Sequence, residues 1–435
     1  MRQIIHLTGN THRGSARLKH VLTALISGGT PDTNNDDYWS DDDEGIAWVA
    51  IGDMSTTALV RFTEKKVTES GLASKRLQVM PPGTLIYSMY ASMGHVAELA
   101  IPATINQALL GFEFVEDVEP SFAKWWLRHL QPVLLAEASS NTQDNLNADK
   151  VKNLPFPAID LASQVCIASF LDRETARIDE LIAEKERMLA LLDEKRSALI
   201  SRVVTRGRNH DTPFKDSGQD WLGMIPEHWV VPQLRFVCTE LQIGPFGTQL
   251  HAEEYVDNGV PLINPAHLKG NKITPDYGIS VDKITAERLA IHKLEEGDIV
   301  FGRRGELGRC AVVKRDQVGW LCGTGSLRAR CNKKLVDPSY VALVFNGSSA
   351  ATRLTMESVG STMDNLNTDM LGHFCIPLPP LAEQKEIVSA VESDQRKSDA
   401  LRESLQLSIM LAKERRSAII TSAVTGQIAL EGMTA

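Results

Sequence analysis

The longest uninterrupted pattern in the chain lies between Leu161 and Thr205, a stretch with neither glycine nor proline. Apolar residues recur there at helical spacing, at Ile167, Leu171, Ile178, Leu181, Ile182, Met188, Leu189, Leu192, Leu199 and Val203. Glutamate, lysine and arginine fill the intervals, as on a solvated face, and Asp160 stands where an N-cap is expected. At ~1.5 Å per residue the predicted helix reaches roughly 65 Å. A rod of that length with one apolar stripe needs a partner of similar length.

The partner is in the same chain. Asp144-Asn145-Leu146-Asn147 recurs as Asp364-Asn365-Leu366-Asn367, 220 positions later, and that offset then holds without a gap. Pro157 matches Pro377, Gln164 matches Gln384, Asp179 matches Asp399, and Arg196-Ser197-Ala198 matches Arg416-Ser417-Ala418. A second helix is therefore expected from Leu381 to about Thr425. Gapless identity that includes Asn, Gln and Asp is not what chance likeness between amphipathic helices produces. Two copies of one unit predict a pseudo-symmetric architecture.

Outside the helices the apolar runs are short. Trp48–Ile51 and Thr84–Met89 read as buried strands beside turns at Pro81-Pro82-Gly83 and Gly94, and Phe122–Leu135 as a short amphipathic helix. Gly28-Gly29-Thr30-Pro31 is a turn signal leading into a solvated acidic loop, Asp32–Glu44. Gly45, Gly83 and Gly94 return as Gly259, Gly297 and Gly308, 214 positions later, so a second mixed domain repeats the first. The glycines read as turns needing positive φ, not as phosphate cradles. The expected division is 1–158, 159–207, 208–378 and 379–435, with a polar linker near 206–220 and a weakly structured tail. The surfaces differ between copies. Tyr87-Ser88-Met89-Tyr90-Ala91-Ser92 gives way to Phe301-Gly302-Arg303-Arg304-Gly305-Glu306, and Gly247-Thr248-Gln249 replaces the acidic loop.

A length of 435 residues is too great for one core, and 43% hydrophobic residues is ordinary for a globular chain. No apolar run approaches the ~18 residues of a membrane span, and the N-terminal MRQIIHLTGN lacks the apolar core of a signal peptide, which predicts a cytoplasmic protein. The six cysteines include no C-x-x-C pair; Cys310, Cys322 and Cys331 fit no common zinc spacing and read as buried thiols, so no metal is expected. A net charge of −9 argues against wholesale nucleic-acid binding but leaves room for basic patches.

One such patch is present. Arg303, Arg304, Arg309, Lys314, Arg328 and Arg330 fall in a run with few acids, and arginine can fork to guanine O6 and N7 or clamp a phosphate. Thr248 and Gln249 add hydrogen-bonding groups in the same domain. The first domain offers Thr30, Tyr87, Tyr90, Ser92, His95, Asn106 and Gln107, types suited to base edges. Each also has an ordinary structural reading. Catalytic signatures are missing: there is no G-x-x-x-x-G-K-[ST], and Gly302–Gly308 lacks the setting of a dinucleotide fold. Asn264-Pro265-Ala266-His267 lacks the second proline and the aromatic of an amino-methyltransferase motif and reads as a strand end.

These residues carry a resemblance. Gly28-Gly29-Thr30-Pro31 with Tyr38-Trp39 and Trp48–Met54, Lys215-Asp216-Ser217-Gly218 with Trp221-Leu222-Gly223 and Ile225–Trp229, Pro377–Gln384, and Thr425-Gly426-Gln427-Ile428 make the chain similar to the specificity subunits of type I restriction–modification systems over nearly its whole length. The N-terminus lacks the Trp-Leu-Gly…His-Trp lead, and the first helix opens with Ile159-Asp160-Leu161-Ala162-Ser163-Gln164 in place of Pro-Pro-Leu-Ala-Glu-Gln. The resemblance implies an α+β (mixed α/β) fold with two pseudo-symmetric target-recognition domains separated by two long antiparallel coiled-coil helices. Each domain would read half of a bipartite site in double-stranded DNA. The helices, through Leu171, Ile178, Leu181, Met188, Leu192, Leu199, Val391, Leu401, Leu405 and Ile419, would set the spacing and dock two modification methyltransferase subunits. Those partners would bring S-adenosylmethionine and flip an adenine in each half-site. Restriction subunits would bring ATP- and Mg²⁺-dependent translocation and cleavage. This chain would hold no cofactor and do no chemistry. Two other readings stay open, a self-contained DNA methyltransferase or nuclease and a coiled-coil scaffold that binds no DNA.

Overall fold

Four helices frame the structure: α1 (Pro120–Ser140), α2 (Leu161–Arg206), α3 (Pro338–Phe345) and α4 (Leu381–Val424). The computed structural model describes residues 15–433 except 43, 56, 91, 141–145, 210, 306 and 359–364. The N-terminal decapeptide, Asp144, Asn145, Asp364 and Glu306 therefore lie outside the described residues. The chain divides into two compact units, Met1–Lys185 with Leu407–Ala435, and Glu186–Gln406. Each unit takes one mixed domain and part of both long helices.

In the first unit the apolar runs pair into a five-stranded sheet, in the order Leu22–Ser27, Leu109–Phe114, Leu85–Ser88, Val96–Leu99, Leu59–Val60. A second sheet runs Trp39–Ser40, Lys65–Val67, Ile46–Val49, Ala103–Ile105, its last pair parallel. The Trp48–Ile51 strand of the sequence reading ends at Val49, and Ile51 opens a short helix, Ile51–Ser55. The predicted Phe122–Leu135 helix is longer, Pro120–Ser140, and holds Pro132 within it. Its Phe122, Trp126 and Leu130 are buried in one core with Tyr87, Phe112, Phe156 and Leu171. The tail is less loose than its polarity suggests: Met433 is buried in this core, and its carbonyl accepts from Arg173 Nη2 at 3.3 Å.

The second unit repeats the plan. Its main sheet runs Cys238–Ile243, Ser326–Cys331, Ile299–Gly302, Cys310–Val312, and its second runs Tyr255–Val256, Ser280–Val281, Val260–Ile263, Leu321–Cys322, again with the last pair parallel. α3 lies over this core with Tyr340, Val341, Val344 and Phe345 buried.

Inside each unit the two long helices run antiparallel. In the first, Asp179 meets Arg416 Nε at 2.8 Å, and Ile167, Ala168 and Leu171 share a core with Ile420, Ala423 and Val424. In the second, Asp193 pairs with Arg402, Lys195 lies 3.7 Å from Asp394, and Ile200 and Val203 share a core with Ile387 and Val391. The residues withdrawn from solvent follow an alternating four-and-three spacing. On α2 the seam comprises Leu171, Thr175, Ile178, Ile182, Lys185, Leu189, Leu192, Arg196, Leu199 and Val203, all buried or half-buried, with Ile200 buried beside it; on α4 the same ten positions, 220 residues on from Val391 to Ala423, are likewise buried or half-buried. A mean of 3.5 residues per turn is the coiled-coil period.

The expected seam is therefore right in period but needs correction at three positions. Leu171, Ile178, Val391 and Leu405 are buried, and Leu192, Leu199 and Ile419 half-buried, whereas Leu181, Met188 and Leu401 are 48%, 45% and 49% exposed. Where two apolar residues adjoin, as at 181–182 and 188–189, the 3.5-residue period selects the second.

One side chain ties each long helix to its domain. Gln164, in the first turn of α2, is buried; its Oε1 accepts from Glu119 N at 3.0 Å, and its Nε2 donates to Asp117 O and Ile159 O at 3.0 Å each. Gln384 does the same in the second unit, accepting from Asp337 N at 2.8 Å and donating to Leu335 O and Pro379 O at 3.2 and 2.8 Å. Both partners stand just before Pro-Ser at the start of α1 or α3. The expected cap is also present, with Asp160 Oδ1 accepting from Ser163 N at 2.9 Å. Substituting Gln164→Leu or Gln384→Leu strands three backbone groups. Each buried group left unpaired costs ~1–3 kcal/mol. Either variant should unfold at a clearly lower temperature in calorimetry, and an unchanged profile would show that the clamp contributes nothing.

Candidate nucleic-acid interface

The loops that follow the strands converge at one end of each domain. In the second unit Arg303 N donates to Gly325 O at 3.0 Å, and Arg303 O accepts from Leu366 N at 2.9 Å. Asn264 Oδ1 accepts from Gly325 N at 3.2 Å, and Gly323 N donates to Ile263 O at 2.9 Å. The loop after Ile243 closes over these: a Cβ on Gly244 would lie 1.9 Å from Gly323 O, so only glycine permits the approach. In the first unit Met89 N donates to Ala108 O at 2.9 Å and Asn106 N to Val49 O at 3.0 Å, while a Cβ on Gly28 would lie 2.0 Å from Asn106 O. The same four loops are held by the same kinds of bond.

The central hairpin aligns residue for residue. Tyr87 pairs with Val96 and Phe301 with Cys310. Ser88 N donates to His95 O at 3.0 Å, as Gly302 N does to Arg309 O at 2.9 Å. Gly94 and Gly308 close the turns at φ +78° and +85°. A constant offset of 214 thus sets Met89 against Arg303, Tyr90 against Arg304, and His95 against Arg309. Three guanidinium groups gather in one loop cluster. Hydroxyl and amide groups lie at the other.

A family model described as "Type I restriction modification DNA specificity domain" matches residues 15–189 and 237–407. The chain belongs to that family. It is 23% identical to the Type I restriction enzyme EcoBI specificity subunit of Escherichia coli over 355 residues, covering 80% of this chain and 74% of that one. It is 26% identical to the EcoKI specificity subunit of Escherichia coli (strain K12) over 287 residues, covering 63% of this chain and 58% of that one. Two solved structures share the fold. A chain from a study of complex assembly and conformational transition in the type I R-M system superposes with a TM-score of 0.72 at 18% identity, covering 96% of this chain and 99% of that one. The HsdS subunit from Thermoanaerobacter tengcongensis gives 0.54 at 19% identity, with 95% and 97% covered. Among the described residues, no helix of this specificity subunit is long and apolar enough to cross a membrane.

Within the specificity subunit the sequence-selected residues sort into three groups. At the loop ends lie Thr30, Tyr90, Ser92, Gln107, Thr248, Gln249, Arg303, Arg304 and Arg309. Thr30 Oγ1 donates to Gln107 Oε1, Ser92 O accepts from His95 N at 3.0 Å, and Gln249 Oε1 accepts from Phe246 N at 3.2 Å. Tyr90 is 41% exposed, with its carbonyl accepting from Ser88 Oγ at 2.7 Å. Arg303 is half-buried, its Nε donating to Leu366 O at 2.9 Å; burial and the neighbouring Arg304 guanidinium lower its pKa. Arg304 is exposed. Arg309 Nη1 donates to Leu268 O at 3.4 Å.

The second group builds the loops themselves. Asn106 is buried and caps its own turn, accepting from Ala108 N at 3.0 Å, and His95 Nε2 meets Thr57 O at 3.1 Å.

The third group is corrected by the structure. Tyr87 is wholly buried in the core, its hydroxyl without a hydrogen-bond partner among the described residues and its pKa pushed well above 10 by burial; Phe301 fills the equivalent place. Arg328 is 2% exposed, with Nη1 donating to Ile291 O and Lys293 O at 3.0 and 2.7 Å and Nη2 2.6 Å from Glu240. Arg330 forks onto the buried Asp298 with two bonds of 2.8 Å and meets Glu295 at 2.8 Å. Those positive charges are already spent on carboxylates inside the protein. Lys314 is exposed but lies beyond the far end of strand Cys310–Val312, away from the loops. One feature escaped the sequence reading: Phe246, 62% exposed beside Gly247 in the loop after Ile243, a bulky apolar residue in a glycine-bounded turn.

Arg328→Met should leave Glu240 and Asp298 under-compensated and destabilise the protein by ~3–5 kcal/mol, the usual cost of halving a buried ion pair. Chemical denaturation measures it, and a shift under about 1 kcal/mol would refute the network's importance. Tyr87→Phe removes an unpaired buried hydroxyl and should be neutral or stabilising. A lower unfolding temperature for that variant would mean the hydroxyl has a partner.

Proposed function

We propose that this specificity subunit reads a bipartite site in double-stranded DNA, one half through the loop cluster of each unit. The observation that supports this best is the pairing of like frameworks with unlike side chains. The similarly bonded loops carry Thr30, Tyr90, Ser92 and Gln107 in one unit and Thr248, Gln249, Arg304 and Arg309 in the other. A scaffold with no ligand has no reason to hold its loops so alike while varying only what they display.

In this reading the paired helices fix the gap between half-sites and dock the modification methyltransferase subunits. The apolar residues outside the seam suit that docking: Met188, Leu191 and Leu401 in the second unit, and Leu181, Met410 and Leu411 in the first, are each close to half exposed. A docked partner would cover these side chains, as it would any contiguous apolar patch. S-adenosylmethionine, ATP and Mg²⁺ belong to the partner subunits, and the adenine chemistry is theirs. This chain supplies position, and wrapping the DNA would be shared with those partners, which fits a net charge of −9. Two modest half-site affinities joined in one chain give one tight site by effective concentration.

The test is a graft. Residues 23–150 are replaced by the matching segment of a family member with another specificity, and the assembled methyltransferase complex is used to map modified bases. One half of the motif should change and the other persist. Loss of both halves together would show a shared recognition surface and end the two-reader reading.

A further inference from the structure

We propose that Arg304 reads a guanine in the half-site served by the second unit, and that Arg303 beside it is anchored framework; the proposal rests on the DNA-reading function above. The two arginines are neighbours in sequence but not in role. The hairpin alignment places Arg303 against Met89, and both are drawn inward: Met89 is 8% exposed, and Arg303 is half-buried with its Nε committed to Leu366 O at 2.9 Å. Its backbone N–H and carbonyl are committed as well, to Gly325 and Leu366. The next position alternates outward, to Tyr90 in one unit and Arg304 in the other, both exposed.

Arg304 therefore leaves from a backbone fixed on its N-terminal side by three hydrogen bonds of Arg303. Gly305, at φ +76°, follows it. The Arg303 cation directs its charge outward by repulsion. A guanidinium carries a rigid fork that matches guanine O6 and N7 in the major groove, and a fixed base of attachment reduces the entropy lost on binding. Lysine can still neutralise a phosphate as a point charge but cannot fork onto a base. Tyr90, at the equivalent place, has no fork, so the two half-sites need not share a base at the corresponding position.

The experiment uses the full chain assembled with its methyltransferase subunits, with modified bases mapped and duplex binding measured. The parent should modify a motif with a guanine in one half. Arg304→Ala and Arg304→Lys should both relax that one position and weaken binding to the parent site by about 10–100-fold. Arg303→Met, which carries the side chain of the aligned position, should leave the motif intact. Arg304→Lys with parental affinity and motif would mean a phosphate contact and overturn the proposal. So would an unchanged motif in Arg304→Ala, or relaxation caused by Arg303→Met instead. Arg304 is exposed, so its variants should melt with the parent; if the alanine variant does not fold, the lysine variant decides alone. A parent complex that modifies no specific sequence removes the two-reader function and this proposal with it, whereas a parent motif untouched by the Arg304 variants removes the proposal alone.

Discussion

The structure depends on two buried glutamines. The apolar seam of a long helix fixes the face it turns to its partner helix, but not how a neighbouring domain is seated against its end. Gln164 and Gln384 fix that seating. Each uses one carboxamide to accept a backbone N–H at the start of a short helix and to donate to two carbonyls, one before that helix and one before its own. A carboxamide is the side chain that can do both. Because the same residue performs the same task 220 positions apart, each domain is keyed to its helix in the same rotational setting.

Charge is divided by depth. The acids and bases inside the second domain, Glu240, Asp298, Arg328 and Arg330, pair with one another, and Arg328 also donates to carbonyls that hold the main sheet to the turn at Ala290–His292. The guanidinium groups of Arg303, Arg304 and Arg309 lie instead at the loop ends. Composition cannot separate these populations, since both are arginines within one short run.

Much of the fold was legible in the sequence because repetition is a strong signal. The 220-residue offset revealed both helices, and the matched glycines revealed the second domain, since positive φ at Gly94 and Gly308 leaves little choice of residue. The candidate site was only partly legible. Tyr87 and Tyr90 are an odd number of positions apart, so strand alternation separates them, but it does not say which enters the core, and every residue of strand Leu85–Ser88 is buried. On the helices, adjoining apolar pairs such as Leu181–Ile182 hide which member belongs to the seam; only the 3.5-residue period, imposed by a partner helix, resolves it. The arginines of strand Ser326–Cys331 misled for a further reason: their partners, Glu240, Glu295 and Asp298, are remote in sequence.

The start of α4 changes how the unlike ends of the two halves are to be understood. Glu383 accepts from the Trp229 indole N–H at 3.2–3.3 Å and meets His228 Nε2 at 2.8 Å. Its counterpart 220 positions earlier is Ser163, which has no carboxylate, and the His-Trp lead is missing from the first half. Two departures from the family pattern thus reduce to one. The lead and the glutamate form one contact in the second half, so removing Glu383 would leave the Trp229 indole and the His228 ring without that acceptor.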